Sequence, residues 1–320
     1  MKQNVYLPEG RLLFTPKNLE STSSRESLEK AYLNGTILEG LCSLCDTEQN
    51  LHVRVGGFEG IIPRNEAVST TDGEKSKDIA VISRVGKPVC FKIIDIKGTE
   101  SRPLYILSRR AAQRECRLNF IRRLTAGDII DARVTHLESF GAFVDVGCGM
   151  ISLLSIDTIS VSRIAHPKDR LSCGQDIKVV VRTPSDENDR ITLTHKELLG
   201  TWEENAELFR AGQTAAGIIR SIESYGVFVE LTPNLAGLAE YKDGAEVGKQ
   251  AAVYLKSIIP EKMKLKLVII DVYPFDASPA PTKYFIEGEH IDYWRYSPAR
   301  CEKLVESYFG GDEDYRLMHG

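Results

Sequence analysis

The chain has 320 residues, 27% of them charged and 42% hydrophobic, with a formal net charge of -4. That length exceeds one small module and suits two to four domains of about 60–110 residues, and the charge balance excludes a polybasic protein, so any surface for nucleic acid must be a local patch. No apolar run approaches the roughly 18–20 residues that span a bilayer, and the start MKQNVYLPEGRLLF has no signal-peptide core, so no membrane partner and a cytoplasmic location are expected.

Residues 1–34 form an N-terminal segment in which SSRESLEKAYLNG reads as a short helix, with a serine N-cap, Leu28 and Tyr32 one turn apart and Gly35 as the stop. Residues 35–112 follow with NGTILEGLCSLCDTEQNLHVRVGGFEGIIPRNEA and then VGKPVCFKIIDIKGTESRPLYILSRRAAQ. Cys42 and Cys45 have metal-ligand spacing there, but a zinc site needs four ligands and His52 makes only a third. They and the other cysteines, seven in all, read as reduced thiols buried as small apolar groups.

Residues 113–126 are a connector helix, the basic part of SRRAAQRECRLNFIRRLTA. In that stretch Arg110, Arg114 and Arg117 share one face and Leu118, Ile121 and Leu124 mark a buried stripe. Such a run is ordinarily a solvated face; beside a nucleic-acid site it supplies phosphate contacts. Residues 127–196 begin GDIIDARVTHLESFGAFVDVGCGMISLL and end GQDIKVVVRTPSDENDRITLTHKE. A second connector helix, 197–211, places Trp202 and Phe209 on one packed face. Residues 212–273 repeat the grammar as GQTAAGIIRSIESYGVFVELTPNLAGLAEY and VGKQAAVYLKSIIPEKMKLKLVIID. The extension 274–320 opens on PFDASPAPT, a linker, and continues with aromatic-rich sequence expected to form a strand pair and a short amphipathic helix. Packing on the third repeat or holding a partner would both account for its rings.

Each repeat opens on a glycine, alternates in hydrophobicity, and closes with two strands joined by a short polar turn; the first copy is the weakest. Five short strands in each suit a small oligonucleotide-binding (OB) barrel. The expected fold is mainly β: three tandem five-stranded OB barrels, helical connectors, and a small aromatic-rich C-terminal extension.

Strand parity sorts the phrases HLESFGAFVDV and SIESYGVFVEL. Ala142, Val144 and Val146 face one way, Phe143 and Asp145 the other; Val227, Val229 and Leu231 likewise oppose Phe228 and Glu230. Phe140 and Tyr225 stand three residues earlier, and a bulge at Gly141 or Gly226 would swing each onto the face of its partner ring, giving two coplanar rings on the barrel exterior. Bases of single-stranded RNA or DNA stack on such rings. The alternative is that one ring caps the barrel while the other packs on a connector helix. No P-loop, GxGxxG, HExxH or paired catalytic carboxylates occur, so no catalytic residues, metal or cofactor are assigned.

The second copy matches a family pattern: a Gly-opened strand, an aromatic-Gly-x-Phe-Val phrase, a Gly-Leu-x-His-x-Ser stretch, a Gly-x-x-Val strand and a closing Asp-x-x-x-Arg-Ile-x-Leu-Ser. The chain therefore resembles the S1-motif family of RNA-binding barrels, in a tandem arrangement similar to that of bacterial ribosomal proteins of the Firmicutes type. The resemblance implies RNA contacts by Phe140, Phe143, Asp186 and Arg190, with Ser152 where the family has histidine. In the third copy it implies Tyr225 and Phe228, with Glu240 at the histidine position and Pro260 and Lys264 at the turn pair; Lys262, Lys264 and Lys266 would attract phosphate. The first copy has Gln49 and His52 at the ring positions, and its outward His52 and Arg54 are adequate for phosphate contact but make no platform; the resemblance implies that such a copy holds a ribosomal or other protein partner. The implied function is non-enzymatic binding of single-stranded RNA or mRNA, with the small ribosomal subunit as partner, in translation. An RNA-processing or decay factor that presents RNA to a nuclease shares all these features.

Overall fold

A computed structural model describes residues 5–68, 78–99, 101–187, 189–274 and 282–310. Three closed five-stranded barrels follow one another along the chain. The first is built from β1 (Leu38–Cys45), β2 (Leu51–Val55), β3 (Phe58–Ile62), β4 (Pro88–Thr99) and β5 (Arg102–Ser108). The second uses β6 (Ile129–Glu138), β7 (Gly141–Asp145), β8 (Ile151–Ser155), β9 (Asp176–Thr183) and β10 (Thr192–Thr194). The third uses β11 (Thr214–Glu223), β12 (Gly226–Thr232), β13 (Leu235–Ala239), β14 (Gln250–Ile259) and β15 (Lys264–Tyr273). In each barrel the first strand pairs with the second and fourth, and the third pairs in parallel with the fifth. Closure leaves no free sheet edge.

Alternation builds each interior. Val53, Phe91 and Leu107 fill the first, Val144, Leu154 and Val179 the second, and Val229, Leu255 and Leu267 the third. The N-terminal helices are α1 (Pro16–Ser21) and α2 (Arg25–Leu33), the second capped by Ser24 and ended at Gly35 with φ +58°. Leu28 buries together with Ala31 while Tyr32 is exposed, because the i,i+3 pair faces the barrel. A short α3 (Asp78–Ile82) precedes β4.

Both connectors differ from the sequence expectation. The basic stretch is α4 (Arg109–Asn119) followed by a 3-10 turn at Ile121–Arg123, so Leu118 does not share a face with Ile121 and Leu124. Leu118 is 44% exposed, and Ala112, Gln113 and Cys116 form the buried stripe. After β10 the chain makes a 3-10 turn at Lys196–Leu199 and then only the five-residue α5 (Trp202–Ala206), with Thr201 and Glu204 forming its capping box. Gly200, at φ +84°, separates the two; a Cβ there would lie 2.8 Å from the Phe285 ring. Trp202 and Phe209 nevertheless pack into the third core.

The aromatic extension ties the second and third barrels together. It forms the strand pair β16 (Tyr293–Arg295) and β17 (Glu306–Tyr308), and the expected helix between them is absent because 298–301 turn back instead. Trp294 and Tyr296 enter the third core, whereas Tyr284, Ile291 and Phe309 pack on Ile129, Val180 and Leu198 beside the second barrel. The linker expected at 274–282 lies almost wholly outside the described residues.

Candidate nucleic-acid interface

The hairpin between the first two strands of each barrel positions the rings. Phe143 on β7 lies opposite His136, and Phe228 on β12 opposite Ser221. Phe140 and Tyr225 stand in the turns just before these strands, 53% and 67% exposed. Their orientation is therefore set by the turn, and strand parity does not apply to them. The bulges fall on the opposite strands, between Val134 and His136 and between Ile219 and Ser221, and not at the glycines as expected. Gly141 and Gly226 serve close approach: a Cβ would lie 2.5 Å from the carbonyl oxygen of Leu154 or Ala239.

The rings of each pair are perpendicular, not coplanar, with centroids 6.0 Å apart for Phe140–Phe143 and 6.1 Å for Tyr225–Phe228. Edge-to-face packing is the favoured geometry of two aromatic quadrupoles. His136, which strand parity did not single out, stacks on Phe143 at 6.3 Å with a 24° interplanar angle. The third barrel has Ser221 there and no such neighbour.

The carboxylates on the outward faces are not solvent-exposed. Asp145 is buried and accepts hydrogen bonds from the amides of Glu9 (2.7 Å), Gly147 (2.8 Å) and Gly149 (3.0 Å). Burial, together with the charge of Glu9, pushes its carboxyl up to about 7. Glu230 is buried against Arg170 and Arg220, with Arg220 Nε 3.0 Å from Oε2. Arg170 comes from the second barrel's segment, so this contact also joins the second and third barrels. Sequence parity places a side chain off its own barrel; it does not show what another segment lays over it.

Phe143 forms part of a groove of about 870 Å³ on the second barrel, also lined by Leu153, Thr192, Arg117, Arg182, Asp189 and Arg190. Ser152 touches it but is 8% exposed, with its hydroxyl donating to the Ile191 carbonyl at 2.8 Å, so it fastens the strand behind the groove. Asp186 holds the turn through the main chain, accepting from the Arg190 amide at 2.8 Å. Asp189, at φ +58°, takes Arg122 in a two-point pair of 2.5 and 3.1 Å and lies 3.6 Å from Arg117. The bond from Arg122 holds its carboxyl below the usual range.

The other cations divide. Arg110 is drawn to Glu66 at 2.5 Å, away from the groove lining, and Arg114 stands exposed on α4. In the third barrel Phe228, Leu238 and Lys266 occupy adjacent register positions on three neighbouring strands. Lys262 and Lys264 stand exposed around the turn at Met263, whose φ is +46°.

The first barrel keeps the register without the rings. His52 pairs with Leu44 and Ile61, the positions equivalent to Phe143 between His136 and Leu153. Its ring reaches Asp46 at 3.3 Å, and Gln49 occupies the turn at φ +65°. Leu44, Ile61 and Ile106 make the neighbouring surface apolar. His195 is fully buried at a strand end, where desolvation pulls its imidazole down to about 4 and the Ile159 carbonyl lies 3.0 Å away. Among the described residues no cluster of His, Cys, Asp or Glu has the arrangement of a metal site, and no helix is long and apolar enough to cross a membrane.

Residues 123–196 match the S1 RNA binding domain family. The chain is 27% identical over 303 residues to small ribosomal subunit protein bS1 of Staphylococcus aureus, covering 88% of this chain and 75% of that protein. It is 26% identical over 269 residues to the bS1 homolog of Bacillus subtilis, covering 82% and 67%. A Streptococcus pneumoniae multidomain protein with nucleic acid binding domains, of known structure, aligns over 74% of both chains at 15% identity and a TM-score of 0.24, too loose a superposition to bear on how the barrels are arranged. The resemblance to Firmicutes ribosomal protein S1 thus extends over most of the chain, with the S1 domain itself at 123–196.

Proposed function

We propose that this protein binds single-stranded RNA through its second and third barrels, without catalysis, as a ribosomal protein S1-like factor acting in the cytoplasm with mRNA and the small ribosomal subunit. The observation that carries the reading is the repeated placement of a half-buried strand ring, Phe143 or Phe228, at one register position of two barrels with an exposed turn ring, Phe140 or Tyr225, edge-on beside it, the first pair lying in the segment that matches the S1 family. A base stacked on such a ring gains on the order of 1–3 kcal/mol whatever its identity.

Arg190 and the three lysines 262, 264 and 266 supply sequence-independent attraction to phosphate. The tail and the Arg170–Glu230 contact hold the second and third barrels together, so the two ring pairs act as linked sites with a raised effective concentration. The first barrel, with His52 tied to Asp46 and an apolar neighbourhood, contributes to partner binding and not to base stacking.

The test is binding of a fluorescein-labelled oligouridylate, followed by anisotropy, to the whole protein and to Phe143→Ala/Phe228→Ala. The wild type should bind and the double variant should lose several kcal/mol if both rings stack. Equal affinity in a folded double variant would overturn the ring mechanism. Co-sedimentation with small ribosomal subunits tests the partner.

A further inference from the structure

We infer that the third barrel carries a self-association face, made by Tyr254 of β14 with Val268 and Ile270 of β15, on which a second copy of this chain seats about a two-fold axis. It stands apart from the single-stranded RNA reading, because Phe228 lies on β12, which pairs with β11 and β13 and with neither of these strands.

The same face is covered in both preceding barrels. Counting back five residues from the bulge in each first strand gives Ile37, Ile129 and Thr214. Ile37 and, on β4, Cys90 are buried in one cluster with Cys116 and Phe120, which follow the first barrel in the chain. Ile129 and its partner Val180 are buried with Leu198, Ile291 and Phe309, which follow the second. Thr214 and its partner Tyr254 have no such cover among the described residues: Tyr254 is 41% exposed, and Val268 opposite it on β15, Ile270 and Tyr273 are exposed as well. The extension that follows the third barrel buries Trp294 and Tyr296 in the third core and Ile291 and Phe309 beside the second barrel, and leaves this face open. Single apolar side chains are ordinary on a surface; a contiguous row of them marks an interface.

The charges on the face select its occupant. Lys256 stands on β14 two residues after Tyr254, and Asp271 of β15 pairs with Ala252, two residues before it. Both are exposed, and neither makes an ion pair among the described residues. Lys266, opposite Ser257, adds to the positive end. Lys242, whose charge reaches Asp271, is itself bound to the Ile270 carbonyl. An apolar centre with a cation at one end and a carboxylate at the other is complementary to its own copy turned by half a revolution, since a two-fold contact sets residue i against j and j against i. An axis through the Tyr254–Val268 pair brings Lys256 of each copy to Asp271 of the other, with the apolar side chains of both copies between. Tyrosine suits such a centre, because it buries a large ring and keeps its hydroxyl at the wet rim.

The experiment is sedimentation equilibrium of the whole protein, free of RNA, over a concentration series from about 1 to 100 μM. The mass should rise from that of one 35.7 kDa chain to twice that value. Val268→Glu should stay a monomer throughout, with thermal melting reporting that the fold is retained. Lys256→Glu and Asp271→Lys each set like charges against one another at two places in the dimer, and each should raise its dissociation constant by about tenfold or more, with the larger change at low salt. The exchange Lys256→Glu/Asp271→Lys restores both pairs and should bring the dimer back. A wild type that remains a monomer over the series overturns the second copy as occupant and leaves the face to a partner of another kind. A dimer that persists in folded Val268→Glu places the contact elsewhere, and a charge exchange that fails to restore association overturns the two-fold pairing.

Discussion

Glu9 and Arg109 form a two-point ion pair between the first and second barrels, Nε to Oε1 at 2.6 Å and Nη2 to Oε2 at 2.9 Å, with both side chains buried. Cys90 adds its amide to Oε1 at 3.1 Å, and the Glu9 amide in turn donates to Asp145. Burial opposes the charge of Glu9, but Arg109 outweighs it and holds the carboxyl below its usual range. Such a pair is a weak source of net stability and a large liability when broken, because the partner charge stays buried. Glu9→Gln should accordingly destabilise the protein by about 3–5 kcal/mol, read as a lower denaturation midpoint in urea. An unchanged midpoint would show that the N-terminal segment does not hold the two barrels.

The neighbouring Glu39 gives a pH dependence of known sign. It is buried, accepts from the Gly10 amide, and has its second oxygen unpartnered, and burial lifts its carboxyl from 4.5 to about 7. The folded protein therefore keeps a proton that the unfolded chain releases. Its contribution is fully present below about pH 4.5 and is lost as the pH rises toward about 7. Asp145 acts in the same direction. Glu39→Gln should flatten the fall in stability across that window, with a slope change of up to about 1.4 kcal/mol per pH unit. Parallel stability–pH curves for variant and wild type would rule the assignment out.

Much of this arrangement could be read from the sequence because the repeats impose one register on every barrel. Val144 and Val229 inside, Phe143 and Phe228 outside, follow from period-two alternation alone. What alternation does not contain is tertiary. Phe140 lies in a turn, so its ring stands across Phe143 and not beside it. Asp145 and Glu230 leave their barrels only to be covered by the N-terminal segment and by Arg170. Leu118 is exposed because α4 buries Ala112, Gln113 and Cys116, and Leu118 stands on the opposite side of that helix. Asp189 gave no signal in a polar turn; its two-point pair with Arg122 depends on the segment after α4, 67 positions earlier, reaching the same turn.

The tail latch predicts a second pH effect. His290 lies between Asp128 at 2.8 Å and Asp292 at 3.2 Å, where the main chain of 289–291 pairs with 127–129 of the second barrel. The Asp128 hydrogen bond raises its pKa above the usual 6.5. The stabilisation is complete below 6.5 and is lost as the pH climbs through the raised value. The imidazole is 39% exposed, so solvent screening keeps the effect small. Amide hydrogen exchange at Ile129 and Ile291, whose N–H groups bond across this junction, should quicken above neutrality beyond the intrinsic pH trend. His290→Ala should abolish that excess, and an excess that persists in the variant would place its origin elsewhere.

The two ring pairs should not be equivalent. Phe143 has Phe140 edge-on and His136 face-on, whereas among the described residues the ring of Phe228 meets one other ring, that of Tyr225. A ring held from two sides keeps one orientation and loses less freedom when a base stacks on it. Phe143→Ala should therefore cost more RNA affinity than Phe228→Ala, each within about 1–3 kcal/mol. Removal of the flanking imidazole in His136→Ala should bring the second barrel toward the third, at about 0.5–1 kcal/mol. Anisotropy titrations of the three single variants at one salt concentration measure the order directly. A larger loss for Phe228→Ala would mean that the third barrel, with Lys266 in register beside its ring, supplies the dominant contact.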